Sequence, residues 1–145
     1  MISLTIPGTP IAKKRPRFAR RGKFVQTYND QQTEEGRWLW EVKAQWSGEP
    51  MAGPLVMYVK FVMPRAKGHY GTGRNADILK PSAPGHHTKK PDLDNLVKFA
   101  KDCLNGVTWG DDSQVVLLHA TKEYGEHPHT VIDIWQATTE AALAA

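Results

Sequence analysis

The segment Leu55 to Met63 constrains the fold more than any other part of the chain. Its sequence, LVMYVKFVM, is dense in Val, Met and aromatic residues and lies between two prolines. This composition is typical of a buried strand, and proline ends a strand on either side. Near the start of the chain, Ile2, Leu4 and Ile6 alternate with polar residues, which is the period of a half-buried strand. The fold must therefore contain a sheet.

Two further segments have the apolar periodicity of helices. Residues 33–46 place Trp38 and Val42 one turn apart, and from Leu93 onward apolar residues recur at offsets of three, four, seven and eleven. Other strands are predicted over residues 24–28, 114–124 and 130–135, with residues 125–129 joining the last two as a hairpin. The order of elements is that of an α+β protein. We predict a mixed or mainly antiparallel sheet of about four to five strands with two helices.

Length and composition limit the chain to one domain. It has 145 residues, enough for a hydrophobic core of its own. We expect the domain to span residues 1–137 and the tail 138–145 to fray. The single cysteine, Cys103, excludes an internal disulfide or a multi-cysteine zinc site, and we expect it to be buried. No apolar stretch approaches the roughly 20 residues that span a bilayer, and the first residues resemble a strand instead of a secretory signal, so we expect a cytoplasmic protein.

Positive charge is concentrated in two segments of a chain whose net charge is +4. The basic arm, residues 13–23, holds the seven basic residues of the first 25, where no acidic residue occurs. The basic loop, residues 65–91, carries six basic residues and one acidic residue. Both segments favour contact with a polyanion, although the arm could serve only solubility and the loop could be disordered. The cations predicted to contact nucleic-acid phosphates are Lys13, Lys14, Arg15, Arg17, Arg20, Arg21, Lys89 and Lys90.

Acidic residues are concentrated where basic residues are sparse. Between residues 91 and 112 lie Asp92, Asp94, Asp102, Asp111 and Asp112. Each has an ordinary structural explanation, since aspartate caps helices, forms turns beside glycine and pairs with lysine four residues on, as Asp94 does with Lys98. The group as a whole needs more explanation than caps and turns supply.

Convergence of these aspartates would require a cation. The chain could fold back after the second helix and bring Asp111 or Asp112 to Asp92 and Asp94. Two carboxylates about 4 Å apart repel by about 4 kcal/mol at an effective dielectric constant near 20. Carboxylate oxygens are hard ligands, which suit Mg²⁺, with Mn²⁺ as a substitute. A Mg²⁺ centre of this kind hydrolyses phosphodiesters. Lys98 would then stabilise charge on the phosphorus centre or on the leaving group.

The order of these residues is similar to that of a known family. The string Asp92-Leu93-Asp94-Asn95-Leu96-Val97-Lys98 is followed by Asp102, by Leu104-Asn105-Gly106 and by Asp111-Asp112-Ser113-Gln114-Val115. This pattern closely resembles the RusA family of Holliday junction resolvases, which is common in phages and prophages. The resemblance implies a homodimeric, Mg²⁺-dependent endodeoxyribonuclease of the bacterial cytoplasm. Such an enzyme resolves four-way DNA junctions by paired phosphodiester cuts in recombination and repair.

The resemblance also implies roles for individual residues. By position in the motif, the catalytic residues are Asp92, Asp94, Lys98 and Asp112, and the three aspartates among them are the metal ligands. Asp111 is a weaker candidate ligand, and Asp102 corresponds to a helical aspartate that orients Lys98 instead of binding metal. The basic loop is longer than in the shorter members of the family, and the resemblance assigns it no role.

Other functions stay open at this point. One is a non-enzymatic nucleic-acid-binding protein, and another is a nuclease that cuts other branched DNA, such as flaps or replication forks. A phosphoryl transferase with a D-x-D nucleophile is disfavoured, because residues 86–91 are polar and not an apolar strand. Trp109 is expected in the core instead of stacked on a base. The histidines are interpreted as surface or loop residues, with His86 and His87 best placed to reach a phosphate.

Overall fold

The computed structural model describes residues 1–15, 17–28 and 31–138. Its strands are β1 (Ile2–Pro7), β2 (Arg17–Arg21), β3 (Phe24–Tyr28), β4 (Leu55–Pro64), β5 (Val115–Gly125) and β6 (His129–Gln136). Its α-helices are α1 (Gln32–Gln45) and α2 (Leu93–Leu104), and short 3-10 helices lie at Lys67–His69, Gly73–Asn75 and Asp112–Gln114. The predicted α+β class with two helices is confirmed. β2, which lies inside the basic arm, was not predicted.

Four strands form one mixed sheet in the order β1-β6-β4-β5. β6 is antiparallel to β1 and to β4, whereas β4 and β5 run parallel. The predicted hairpin between β5 and β6 is wrong, because β4 lies between these two strands. The chain instead crosses the end of β4 after Gly125. A Cβ atom at Gly125 would collide with the Val62 side chain, so glycine is required at this crossing.

β4 organises the core because it pairs with a strand on each side. Alternate residues from Leu55 to Met63 are buried in one cluster with side chains from both helices. α1 contributes Trp38 and Val42, and the ring of Trp38 meets Phe99 of α2 edge to face, with 5.4 Å between centroids. Each such fully buried side chain contributes about 1.5–3 kcal/mol of burial free energy. The two helices are therefore fixed to the sheet and to each other.

α2 has an apolar and a polar face, as its periodicity predicted. Its buried residues are Leu96, Val97, Phe99, Ala100, Cys103 and Leu104. Burial raises the pKa of the Cys103 thiol to about 12, so the thiol stays protonated at neutral pH. Asp94 and Lys98 are exposed one turn apart on the polar face. The same helix thus completes the core and presents the residues of the predicted site.

The basic arm is anchored to the helices at its base. The Gln31 side chain is fully buried, where its Nε2 donates to the Ala12 carbonyl (2.8 Å) and its Oε1 accepts from the Lys14 amide (2.9 Å). The Lys13 amide donates to the Asn95 carbonyl of α2 at 2.9 Å. Further along the arm, β2 and β3 pair as an antiparallel hairpin. The base of the arm is therefore part of the folded domain.

The basic loop follows the edge of the sheet formed by β5. The His87 amide donates to the Lys122 carbonyl (3.3 Å), and the Tyr124 amide donates to the Gly85 carbonyl (2.8 Å). Two of the short 3-10 helices lie within the loop. These features give the loop a defined path, so the structure contradicts the alternative of a disordered loop.

Two further expectations concern the C-terminal tail and membrane-spanning helices. The frayed tail was predicted for residues 138–145, of which 139–145 lie outside the described residues. Within the described ranges, neither α-helix has the length and apolar character needed to cross a bilayer.

Candidate active site

An open depression of about 270 Å³ lies beside α2 and the short helix that precedes β5. It is lined by Asp94, Val97, Lys98, Lys101, Asp102 and Asp112. All of these belong to α2 except Asp112, which comes from the 3-10 helix. The structure therefore brings Asp94, Lys98 and Asp112 to one depression, although Asp112 is distant from the others in the sequence.

A buried tryptophan holds the Asp112 carboxylate. Trp109 has no exposed surface, and its Nε1–H donates to Asp112 Oδ1 at 2.9 Å. Because the Trp109 ring is packed in the core, the direction of this donor is fixed. The expected core position of Trp109 is confirmed. The second carboxylate oxygen of Asp112 accepts no hydrogen bond from the residues that the structure describes.

Asp94 and Lys98 stand one turn apart without pairing. The ordinary explanation for this spacing is an ion pair between the two side chains. In the described part of the chain, neither side chain forms an ion pair or a hydrogen bond. Both side chains are exposed. Their charges are therefore available to a ligand that enters the depression.

Asp92 occupies the N-cap position of α2 without capping it. Its side chain makes no capping hydrogen bond, contrary to the ordinary explanation for aspartate at a helix start. Asp92 Oδ1 instead lies 3.4 Å from Lys90 Nζ, and both side chains are exposed. Asp92 is not among the residues that line the depression shared by Asp94 and Asp112.

Asp111 has an ordinary structural role. It caps the 3-10 helix by accepting hydrogen bonds from the Ser113 amide (3.0 Å) and from the Ser113 hydroxyl, and Gln114 Oε1 accepts from the Asp111 amide (3.0 Å). The hydrogen bond from the Ser113 hydroxyl, followed by that from the amide, lowers the pKa of the Asp111 carboxyl below its ordinary value. The capping explanation therefore holds for Asp111, the weaker candidate ligand.

Asp102 is paired with a cation of the basic arm. Its Oδ2 lies 3.2 Å from Lys13 Nζ, which is also 3.3 Å from Glu35 Oε1. Burial lowers the pKa of the Lys13 ammonium, but the hydrogen bonds and charges of Asp102 and Glu35 outweigh that effect and raise it. The predicted role of Asp102 was to orient Lys98, whereas the contact in the structure is with Lys13.

The family model described as Endodeoxyribonuclease RusA matches residues 7–135, a range that includes every aspartate discussed above. The chain belongs to the RusA family. It is also 34% identical over 140 residues to an uncharacterized protein, YqaN, of Bacillus subtilis (strain 168), which covers 92% of this chain and 94% of that protein. The resemblance drawn from the motif is confirmed, and membership of an endodeoxyribonuclease family supports nuclease activity on DNA.

The depression of this RusA-family chain offers carboxylate oxygens, the type of donor that Mg²⁺ prefers, beside the ammonium groups of Lys98 and Lys101. Its described lining contains carboxylates and neither histidine nor cysteine. Within the described ranges, no three acidic, histidine or cysteine side chains are grouped closely enough to hold a metal ion by themselves. Mg²⁺ is usually bound by one or two carboxylates together with water and substrate phosphate instead of a protein cage. Asp94 and Asp112 fit that pattern.

The cations predicted to bind DNA in this RusA-family chain differ in exposure. The exposed members are Lys14, Arg15, Arg20, Lys89 and Lys90. Lys13 is engaged with Asp102 and Glu35, as described above. Arg17 and Arg21 lie in β2. The cations available to a polyanion therefore include residues of both basic segments.

His87 lies in the basic loop, as expected, but it is buried, so the interpretation that it is well placed to reach a phosphate is wrong. Its ring packs against Tyr124, with 4.8 Å between centroids. Burial, followed by the nearby charge of Lys122, lowers the pKa of His87 below its ordinary value of 6.5. His86 is exposed. Only the first histidine of this pair is therefore open to solvent.

The structural roles of Trp109 and Lys13 were not found from the sequence. The Trp109 donor could have been suspected, because a tryptophan three residues before an aspartate can reach its side chain in a turn. The ion pairs of Lys13 gave no local signal, since Lys13 is far in sequence from both Glu35 and Asp102. Such contacts depend on how α1 and α2 pack.

Proposed function

We propose that this RusA-family chain is a Mg²⁺-dependent, structure-specific endodeoxyribonuclease that resolves four-way DNA junctions by paired phosphodiester cuts in recombination and repair. One observation carries the proposal. Asp94, Lys98 and Asp112 border one depression, and none of the three forms an ion pair with a described residue. We also propose that the protein acts on DNA in the cytoplasm of a bacterial host, with its gene belonging either to the host or to a phage or prophage.

Asp94 and Asp112 are the residues that would hold the divalent cation, with Asp92 as the third ligand implied by the family motif. Mn²⁺ has the same preference for oxygen ligands and is expected to substitute. When bound, the cation supplies Lewis-acid activation of water and of the phosphoryl oxygen. The protein contributes the carboxylates. Among them Asp112 has a fixed direction, because the hydrogen bond from Trp109 restrains one of its oxygens.

Lys98 is the electrostatic partner of the reacting phosphate in this mechanism. It lies one turn after Asp94 on the wall of the depression. Its ammonium can donate to a non-bridging phosphate oxygen or to the leaving oxygen, where negative charge increases in the transition state. A charge already paired with a carboxylate would be less effective, and Lys98 forms no such pair with a described residue.

Cleavage of a synthetic four-way junction tests the proposal. Purified full-length protein is incubated with the junction in Mg²⁺, in Mn²⁺ and with EDTA, and the products are mapped on all four strands. Flap, fork and linear duplex substrates of matched arm sequence run in parallel. We expect paired cuts in two opposed strands of the junction, dependent on the metal.

Each alternative has its own outcome in this assay. Tight binding without cleavage in either metal would identify a non-enzymatic DNA-binding protein. Faster cutting of flaps or forks than of junctions would keep the nuclease activity and overturn the junction specificity.

Paired cuts also predict a homodimer. Two symmetry-related cuts need two active sites, and one chain carries Asp94, Lys98 and Asp112 once. A C₂ dimer places two equivalent sites about one axis, which matches the symmetry of the junction. Sedimentation equilibrium is expected to give twice the chain mass at assay concentrations. A monomer both with and without DNA would contradict junction resolution and favour a nickase.

The exposed cations of the basic arm are expected to set the salt dependence of binding. Each phosphate contact contributes about 0.9 to the slope of log affinity against log salt concentration on duplex arms. Replacing Lys14, Arg15 and Arg20 together by Gln should therefore flatten that slope by about two to three units. The single-turnover cleavage rate of the saturated complex should stay close to that of the parent, because these residues are outside the depression.

Lys13→Met is the comparison within the same arm. Lys13 forms ion pairs with Asp102 and Glu35, so its replacement should lower the free energy of unfolding. The slope of log affinity against log salt concentration should change little. An unchanged slope in the triple variant would mean that the arm does not contact DNA. Its charge would then serve only solvation.

A further inference from the structure

We infer that Lys122 is a positioning residue, which fixes the segment leading into α2 and thereby the aspartates at its start. The catalytic consequence rests on the proposed function, whereas the structural role does not. Lys122 lies in β5, outside the family motif that carries the candidate catalytic residues. Its side chain nevertheless reaches the chain immediately before Asp92.

The inference rests first on two hydrogen bonds of the Lys122 ammonium. Lys122 Nζ donates to the Lys89 carbonyl and to the Pro91 carbonyl, both at 2.8 Å. Lysine is suited to this task because its ammonium has three donors that can serve two acceptors at once. In the described part of the chain, no carboxylate pairs with this ammonium. Its charge is therefore directed at the backbone of the segment.

The backbone of Lys122 holds the same segment a few residues earlier. Its carbonyl accepts from the His87 amide at 3.3 Å, and the next residue, Glu123, forms a bridge with His86. The His87 ring is buried against Tyr124. One residue of the sheet thus binds the segment through its main chain at His87 and through its side chain at Lys89 and Pro91.

The hydrogen bonds from Lys122 to the Lys89 and Pro91 carbonyls, here called the clamp, lie directly before the candidate catalytic aspartates. Pro91 directly precedes Asp92, and Asp94 lies in the first turn of α2. Asp92 makes no capping hydrogen bond that would fix its own direction, so the path of the segment determines where its carboxylate lies. A displacement of about 1 Å in a catalytic group can lower a rate by about 10²-fold. Lys122 touches neither group, so its effect on the reaction is indirect.

Lys122→Met tests the inference, because it keeps an unbranched side chain and removes the donors. The matched control is Lys60→Met on the neighbouring strand β4, where Lys60 Nζ lies 3.7 Å from Glu123 Oε1 at the surface. Lys122→Arg is the conservative variant, since a guanidinium can also donate to two carbonyls. All three are compared with the parent as full-length proteins.

The first measurement is amide hydrogen exchange over residues 86–96 in metal-free protein without DNA. In Lys122→Met we expect exchange in this segment to accelerate by about tenfold while exchange in β4 stays unchanged, since local opening is independent of global unfolding. Lys60→Met should match the parent, and Lys122→Arg should recover most of the protection. Parental exchange over residues 86–96 in Lys122→Met would overturn the clamp.

The second measurement separates positioning from binding. The single-turnover cleavage rate of Lys122→Met should fall by about 10- to 100-fold while junction affinity changes by less than about threefold. Faster exchange with a parental cleavage rate would overturn the positioning role. If the parent itself cuts no DNA, the proposed function fails, yet hydrogen exchange still decides the clamp. If Lys122→Met does not fold, Lys122→Gln, which keeps two N–H donors on a shorter, uncharged side chain, is expected to show the same changes to a smaller extent.

Discussion

The Asp112→Asn protein is expected to bind a four-way junction as well as the parent and to lose cleavage by about 10³-fold or more. The asparagine oxygen can still accept the hydrogen bond that Trp109 donates to Asp112 Oδ1, so the turn should keep its structure. What disappears is the negative charge that would hold a divalent cation. The measurement is the single-turnover cleavage rate of saturated junction in Mg²⁺, with affinity measured separately in EDTA.

The adjacent residue supplies a matched control. Asp111→Asn makes the same chemical change one position earlier, in a side chain that caps the 3-10 helix through Ser113. Asparagine is as good an N-cap as aspartate, so this variant should cleave within about threefold of the parent. Equal losses in both variants would contradict a metal-binding role specific to Asp112.

Asp94→Asn is expected to match Asp112→Asn, because both carboxylates line the same depression. For Asp92 the family motif and the geometry differ. The motif implies a metal ligand, whereas the structure places Asp92 outside the depression and beside Lys90. A large loss in Asp92→Asn would mean that the start of α2 joins the site when DNA and metal bind. Near-parental cleavage in all three variants would contradict the proposed metal centre.

The parts of the fold that follow from local pattern were predictable. The buried strand Leu55 to Met63 and the amphipathic α2 each carry their periodicity within a few consecutive residues, and the structure contains both. The pairing of strands was not predictable in the same way. A short glycine-containing connection indicates a hairpin, yet β4 lies between β5 and β6. That arrangement depends on which strand fills the centre of the sheet, a non-local property that Gly125 only permits.

The candidate site likewise has features that follow from local sequence and features that depend on contacts distant in sequence. The motif predicted Asp94, Lys98 and Asp112 as site residues from their spacing along the chain, and all three line one depression in the structure. Turn chemistry alone could not distinguish Asp111 from Asp112, because an aspartate pair beside glycine is equally consistent with a cap and with a ligand. Only the family resemblance ranked Asp112 above Asp111. The structure separates them by their hydrogen-bond partners, Ser113 for the first and Trp109 for the second. Charge density in the basic arm likewise could not show that Lys13 is paired inside the fold.

Lys98→Ala is a further change for which we expect a large effect. Lys98 is exposed on α2, so its replacement by alanine, a strong helix former, should leave the helix intact. Removing one preorganised electrostatic group from an active site typically lowers the rate by about 10²- to 10³-fold, or about 2.7–4 kcal/mol of transition-state stabilisation. Junction affinity should change far less, since one phosphate contact is a small part of the total.

The matched control is Lys43→Ala, which removes an exposed lysine from the last turn of α1, outside the depression. Both variants lower the net charge of the chain equally, so a general effect of charge on DNA binding would appear in both. A role in the reaction would appear only in Lys98→Ala, as a lower single-turnover rate at saturating protein. An unchanged rate in Lys98→Ala would exclude transition-state stabilisation by this lysine. Since Lys98 forms no ion pair with a described residue, the ordinary pairing with Asp94 would not explain its presence either.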